Sequence, residues 1–259
     1  MPEGSFRVVA LPRHLRPVAA EAAAVALAAG ERLRRRFRGG CAVSRKGAAD
    51  LVTEADLEVQ GLIARRLRRG FPTHGLLGEE GLDLNPTAEW RWIVDPLDGT
   101  KNFAYGHPTF CVSLAAERGG TVEVGAVCDP IHGELFLGVR GAGAWLNGRP
   151  IHVSATPRLR HAFLGTGMPH RVQLFAASLA RTIGRFGARS MGVRGRGAGA
   201  LDLCYVACGR LDGYWELDQS PWDVAAGSLI VREAGGRVTD FQGGSFDIFG
   251  GQNVASNGR

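Results

Sequence analysis

Trp92-Ile93-Val94-Asp95-Pro96-Leu97-Asp98-Gly99-Thr100-Lys101-Asn102-Phe103 is the stretch on which the reading of this chain turns. Trp90 to Val94 is a short, dense apolar run, the pattern of a buried strand, and Asp95-Pro96 brings it to an edge. A loop, Pro96 to Gly106, follows. One carboxylate at the strand end and a second three residues on, past a proline-stiffened turn, aim two hard oxygen ligands at one point. Gly99 allows close backbone approach, and the amides of Thr100, Lys101 and Asn102 are placed to open a helix whose N-terminus attracts anions. A metal ion and a phosphate group would then sit side by side. Each aspartate alone reads as an ordinary turn residue. Two of them with a proline, a glycine and a hydroxyl directly after a buried strand shift the balance to chemistry.

The surrounding acids extend this pattern. Leu77-Gly78-Glu79-Glu80-Gly81 is an acidic pair framed by glycines upstream of the Asp95 strand, which favours Glu79 as a further ligand over a merely solvated surface pair. In Asp50-Leu51-Val52-Thr53-Glu54-Ala55-Asp56, Thr53 and Asp56 have the spacing of a helix N-cap and its partner at the third helical position. Structure alone explains that pair, yet a helix starting at the site would let the Asp56 carboxylate serve both ends. Downstream, Trp215-Glu216-Leu217 and Trp222-Asp223-Val224-Ala225-Ala226-Gly227 carry two more acids. Asp223 opens an alanine-rich helix, where it is either the N-cap or a ligand closing the metal site from the second half of the chain. Gly195-Arg196-Gly197-Ala198-Gly199-Ala200-Leu201-Asp202 offers small residues at another helix start, where ligand could approach the backbone.

These motifs lie on two differently patterned halves. In residues 1–150, alanine-rich sequence from about Arg16 to Phe37 and a second segment from about Thr53 to Arg69 have helical periodicity. Cys111 to Glu117, Val122 to Asp129 and Glu134 to Arg140 are β-type runs separated by glycine-rich turns, the signature of a meander. In residues 151–259, short strands and helices alternate: Phe163 to Gly165, Gln173 to Arg185, Ala200 to Gly209, Gly213 to Glu216 and Val224 to Ala234. An α+β half followed by an α/β half, joined as one compact unit, is the expected organisation.

Composition narrows the class. The formal charge of +6 comes largely from Arg32 to Arg38 and Arg65 to Arg69, each near the end of an expected helix, where cations complement the carbonyl end of the dipole. Without interleaved aromatics or a recognised module, these clusters do not read as a nucleic-acid surface. Five cysteines, odd in number and without a Cys-x-x-Cys pair, read as buried thiols in a reducing compartment. Ala19 to Ala29 is too short to span a bilayer and carries Glu21, so neither a membrane anchor nor a signal peptide is expected, and the expected location is the cytoplasm.

Taken together, the segments resemble the inositol monophosphatase family, within the superfamily that also holds fructose-1,6-bisphosphatases and bisphosphate nucleotidases. The resemblance runs from Leu15 to Asn257 and rests on residues 92 to 103, on Trp222 to Gly227 and on Glu233-Ala234-Gly235-Gly236. It implies a layered αβαβα sandwich, a homodimer, Li⁺ sensitivity and two or three Mg²⁺ ions between the halves. It assigns Glu79, Asp95 and the Leu97 carbonyl to one ion, Asp95, Asp98 and Asp223 to a second, and Glu79 with waters to a third. Thr100 with Asp56 would orient the attacking water, beside Glu79, with Lys46 and Asp50 supporting the adjacent loop. Substrate would lie against Asp95, Gly99, Thr100, Gly197, Ala198, Glu216 and Asp223, with Glu216 meeting its hydroxyls and Gly197 and Ala198 offering backbone. The implied reaction is Mg²⁺-dependent hydrolysis of inositol monophosphate or a similar small polyol or sugar phosphate. Histidinol phosphate, fructose 1,6-bisphosphate and 3′-phosphoadenosine 5′-phosphate are the rival substrates, and a regulatory protein acting on RNA or the transcription machinery is the rival of another class. Departures from the family pattern fall near the alcohol site: Gly199 for a frequent alanine, the charge of Arg196, and the polar run Asp218-Gln219-Ser220.

Overall fold

Three sheets carry the chain in the computed structural model, which describes residues 11–39, 43–45, 51–169 and 171–259. Strands β1 (Val43–Arg45) and β2 (Leu51–Thr53) pair antiparallel. The central sheet holds β3 (Gly75–Gly78), β4 (Leu82–Leu84), β5 (Trp90–Asp98), β6 (Cys111–Arg118), β7 (Thr121–Asp129), β8 (Glu134–Val139), β9 (Gly143–Leu146) and β10 (Arg149–Pro150), in the order β10-β9-β8-β7-β6-β5-β3-β4. From β5 to β10 it is an antiparallel meander, while β3 runs parallel to β5. The second sheet, β11 (Phe163–Thr166), β12 (Gly192–Arg194), β13 (Gly213–Leu217), β14 (Arg237–Thr239) and β15 (Gln252–Ser256), is ordered β12-β11-β13-β15-β14 and mixes parallel with antiparallel pairs. The helices are α1 (Arg16–Gly39), α2 (Glu54–Gly70), α3 (Thr100–Ala104), α4 (Val172–Gly187), α5 (Gly199–Ala207) and α6 (Pro221–Glu233).

Side-chain alternation along the central strands explains the layering. Trp92 and Val94 of β5, with Val112, Leu114 and Ala116 of β6, enter a core shared with α1 and α2. Their neighbours Ile93, Cys111 and Ala115 enter a second core with α5 and α6. Both faces of this sheet are therefore buried, so its strands read as continuous apolar runs. Helices α5 and α6 also pack on the second sheet, whose far side meets α4 through Leu164, Trp215, Ile183 and Phe186. The result is the αβαβα sandwich. No described helix is long and apolar enough to cross a membrane. Cys111, Cys128 and Cys204 are buried free thiols, as the sequence suggests, Cys208 is free but only half-buried, and Cys41 lies outside the described residues.

Two sequence readings need correction. The Asp95 strand does not stop at Asp95: β5 continues through Asp98, and the segment read as loop is part strand and part α3. Asp95 opposes Ser113 and Asp98 opposes Cys111, so three steps on β5 match two on β6, which is a β-bulge. Residues three apart on a regular strand face opposite sides of a sheet. The inserted residue brings both carboxylates to one side, and Pro96, with no N–H to donate, suits the interruption. The last helix also begins earlier than read: Ser220 is the N-cap, Pro221 the first helical residue, and Asp223 the third. The short strands β12, β14 and β15 and the parallel strand β3 were not part of the sequence reading.

Small residues let α6 lie close on the central sheet. A Cβ on Gly125 would stand 2.7 Å from the Ala226 carbonyl oxygen and 2.9 Å from its Cα. Because backbone cannot swing aside as a side chain can, Gly125→Ala is expected to destabilise the fold by about 1–3 kcal/mol. A lower denaturant midpoint at unchanged slope would show this; an unchanged midpoint would mean that α6 sits farther from the sheet.

Candidate active site

The bulge aims Asp95 and Asp98 into a cavity of about 290 Å³ that is also lined by Glu79, Thr100, Glu216 and Asp223. Glu79 follows β3, and its N–H donates to the Val94 carbonyl at 3.3 Å, so the two parallel strands deliver Glu79 and Asp95 together. The glycine frame of Glu79 has a structural cause. Gln60 of α2 clamps the backbone of Glu80 in both directions, at 3.1 and 3.2 Å, and a Cβ on Gly78 would fall 2.8 Å from the Gln60 amide oxygen.

Helix N-termini converge on the same cavity. Asp56, fully buried at the start of α2, accepts from the Thr53 N–H at 2.7 Å and hydroxyl at 2.6 Å through Oδ2. Its Oδ1 lies 3.2 Å from the Thr100 hydroxyl, so one carboxylate caps a helix and reaches the site. Thr100 Oγ1 also lies 3.0 Å from the Leu97 carbonyl oxygen. Asp98 accepts the Gly199 and Ala200 N–H groups at the start of α5, at 3.2 and 2.8 Å. Asp223 accepts the Ser220 N–H at 2.7 Å at the start of α6. The positive ends of these dipoles partly offset the gathered negative charge.

That offset is incomplete. Burial pushes the Asp95 carboxyl well above its ordinary value, aided by the charges of Glu79, Asp98 and Asp223. Burial raises Asp98 to about 7 against the Ala200 hydrogen bond, and raises Asp223 to about 7 with Asp98 contributing. Asp56 is also raised by burial, against its bonds from Thr53 and Thr100. Among the described residues no lysine or arginine forms an ion pair with Asp95, Asp98 or Asp223. Nor do three His, Cys, Asp or Glu side chains among them form a ready metal cage; Asp95, Asp98 and Asp223 each accept backbone N–H groups. Crowded, desolvated carboxylates of purely oxygen chemistry and no paired base fit hard divalent cations.

A family model, the inositol monophosphatase family, matches residues 14–259. The chain belongs to this family. It is 44% identical over 220 residues to an inositol-1-monophosphatase of Rhizobium meliloti (strain 1021), covering 83% of this chain and 81% of the relative. A Pseudomonas aeruginosa protein named Nus factor SuhB is 42% identical over 228 residues, with the same coverage of each. The solved inositol monophosphatase of Anabaena (Nostoc) sp. PCC 7120 superposes with a TM-score of 0.86 at 39% identity, covering 95% of this chain and 92% of that one.

Within this family member, most of the residues singled out from sequence line one cavity; Asp56 does not, and touches the lining only through the Thr100 hydroxyl. Ala198 is buried and does not line it, whereas Gly197 and Gly199 on either side do. Gly99, at φ +93°, packs against the Gly197 carbonyl, so two backbones meet where a side chain would intrude. Lys46 and Asp50 lie outside the described residues. Arg196 turns away from the cavity: its Nε donates to buried Asp202 at 2.7 Å, and its guanidinium stacks on Tyr205. Burial raises the Asp202 carboxyl to about 6, against the pull of Arg196. The sequence reading had Lys101 and Asn102 only as backbone amides and Gln219 only as part of a polar run, and it missed Met168; all four line the cavity. Among the described residues Lys101 is the one cation on the cavity lining. Asn102 donates to the Thr109 and Arg196 carbonyls, both at 2.7 Å, joining the two halves beside the site.

The raised carboxyls set a pH dependence. Unfolded aspartates titrate near about 4, below the folded values of about 7 for Asp98 and Asp223. Their protonation stabilises the fold fully below about pH 4, and that contribution is lost as pH rises towards 7. Added Mg²⁺ is therefore expected to raise Tm strongly at pH 7.5 and little at pH 5, measured by scanning calorimetry against a chelator control. An equal rise at both pH values would contradict this electrostatic account.

Proposed function

We propose that this chain hydrolyses inositol monophosphate, and similar small polyol or sugar monophosphates, to the free alcohol and phosphate with Mg²⁺ as cofactor. The observation that supports the reading is the shared cavity lined by Glu79, Asp95, Asp98 and Asp223 together with Thr100 and Glu216. Glu79, Asp95, the Leu97 carbonyl, Asp98 and Asp223 are the groups that would hold two or three ions. Bound Mg²⁺ supplies neutralisation of phosphate and alkoxide charge and a lowered water pKa.

The chain's own groups do the rest. Thr100 Oγ1 has its hydrogen directed to Asp56 Oδ1 or the Leu97 oxygen, which leaves lone pairs to orient a water molecule. Asp56 and Glu79 are the carboxylates placed to take a proton from that water, Asp56 through the Thr100 hydroxyl. The backbone at Gly99 and Thr100, where α3 begins, receives phosphate oxygens, and Lys101 adds positive charge on the rim. Glu216 faces the alcohol, where a carboxylate accepts hydrogen bonds from adjacent hydroxyls.

The proposal extends to a homodimer, supported by the apolar exposure of Met168, Val172, Leu174 and Met191 around α4. Residues 1–150 form the half that carries the central sheet and 151–259 the half that completes the site. Li⁺ sensitivity follows from the resemblance, and a cytoplasmic setting from cysteines that read as reduced thiols. The second reading, a regulatory role through basic helix ends, is supported by similarity to the protein named Nus factor SuhB. Ion pairs of Arg32 and Arg36 with Glu58, and of Arg34 and Arg35 with Glu31, weigh against α1 as a free basic surface.

Asp95→Asn is expected to lower Mg²⁺-dependent kcat by about a thousandfold or more, since the shared ligand position loses its charge, with the circular dichroism spectrum unchanged. Retained activity would remove Asp95 from the site. Comparing kcat/KM on inositol monophosphate, histidinol phosphate, fructose 1,6-bisphosphate and 3′-phosphoadenosine 5′-phosphate should rank the first highest. A clear preference for another would reassign the substrate.

A further inference from the structure

Of the polar run that departs from the family pattern, Gln219 joins a hydrogen-bond network around Glu216. Asp218 adopts a left-handed backbone, φ +62°, and is held there by the Arg171 N–H at 2.9 Å. That turn directs Gln219 inward, where it is nearly buried and lines the cavity. The Gln219 Nε2 donates to Glu216 Oε2 at 2.8 Å. Its own amide orientation is set from behind, because fully buried Asn253 donates its Nδ2 to Gln219 Oε1. The Tyr214 hydroxyl, also buried, donates to the same Glu216 oxygen.

Space for this network comes from two glycines. A Cβ on Gly199 would stand 2.9 Å from Gln219 Nε2, 3.1 Å from Glu216 Oε2 and 3.2 Å from the Tyr214 hydroxyl. A Cβ on Gly167 would overlap the Glu216 carboxyl group itself. The glycine at 199 and the glutamine at 219 are thus complementary: the volume one leaves is filled by the amide of the other.

We propose that Gln219 is a positioning residue for substrate choice, holding Glu216 through Oε2 so that the remaining acceptor lone pairs of the carboxylate meet the alcohol hydroxyls. The inference rests on the polyol reading of the site. A carboxylate held by two donors has its orientation settled before substrate arrives, so hydroxyl recognition costs less ordering at binding. Discrimination should then depend on Gln219 although it acts through another side chain.

The test compares kcat/KM for inositol monophosphate with that for phenyl phosphate, an ester whose alcohol carries no further hydroxyl, in the wild type, Glu216→Gln, Gln219→Met and the double variant. The polyol-to-phenyl ratio should fall about tenfold in each single variant, the scale of one lost hydrogen bond. It should fall no further in the double variant. Melting temperatures of all variants establish that each is folded. If Glu216→Gln lowers the ratio and Gln219→Met leaves it unchanged, the positioning role is wrong while the polyol reading stands. If Glu216→Gln itself leaves the ratio unchanged, the polyol reading fails and this inference with it. Additive losses in the double variant would mean that Gln219 acts independently of Glu216, and equal losses on both esters would mean that it only supports packing. Either result overturns the proposal.

Discussion

Mutual repulsion among buried carboxylates is the constraint around which this molecule is arranged. Asp95 is almost wholly inaccessible and is raised by burial and by three other acids at once. Among the described residues no lysine or arginine forms an ion pair with Asp95, Asp98 or Asp223, so something else holds these three. Here the backbone serves: the bulge in β5, the first turns of α2, α5 and α6, and the parallel β3–β5 pair each fix one or two acids with N–H donors or strand geometry. These devices position the charges without neutralising them, and the remaining repulsion is what the proposed divalent cation would relieve.

The layered architecture is the means of getting four helix starts and two strand ends to one place. Helices α5 and α6 lie between the sheets, and their core includes Ile93, Cys111 and Ala115 from the first half with Leu203, Ile230 and Ala255 from the second. Close approach at Gly125 and Gly138 lets α6 sit against β7 and β8, so Asp223 enters from the side opposite β3 and α2. Packing and site geometry are thereby coupled: a methyl group at Gly125 or Gly138, far from the cavity, would displace the helix that carries Asp223.

Much of this was legible because each acid has a local signature. The apolar run into Asp95-Pro96, the Thr53–Asp56 cap and the small-residue helix after Asp223 each follow from short-range rules, and all three lead to the cavity. The bulge was not legible, because it is defined by its register with Ser113 and Cys111, residues more than a dozen positions away. The start of α6 was misplaced because Asp223 has the composition of an N-cap, while Ser220-Pro221 is the stronger signal. Arg196 misled for the same reason: its charge is visible in sequence, but its partner Asp202, a turn and a half away, and the Tyr205 ring beneath it are visible only in three dimensions. Gln219 appeared only as excess polarity, since its meaning depends on Asn253 from the last strand.

The most direct measurement is anomalous diffraction from crystals soaked in Mn²⁺, which replaces Mg²⁺ at oxygen sites and scatters strongly. The account predicts peaks within about 2.5 Å of carboxylate oxygens of Asp95 and of Glu79, Asp98 or Asp223. A pocket without a peak at Mn²⁺ concentrations that support turnover in solution, or peaks held by other residues alone, would contradict it.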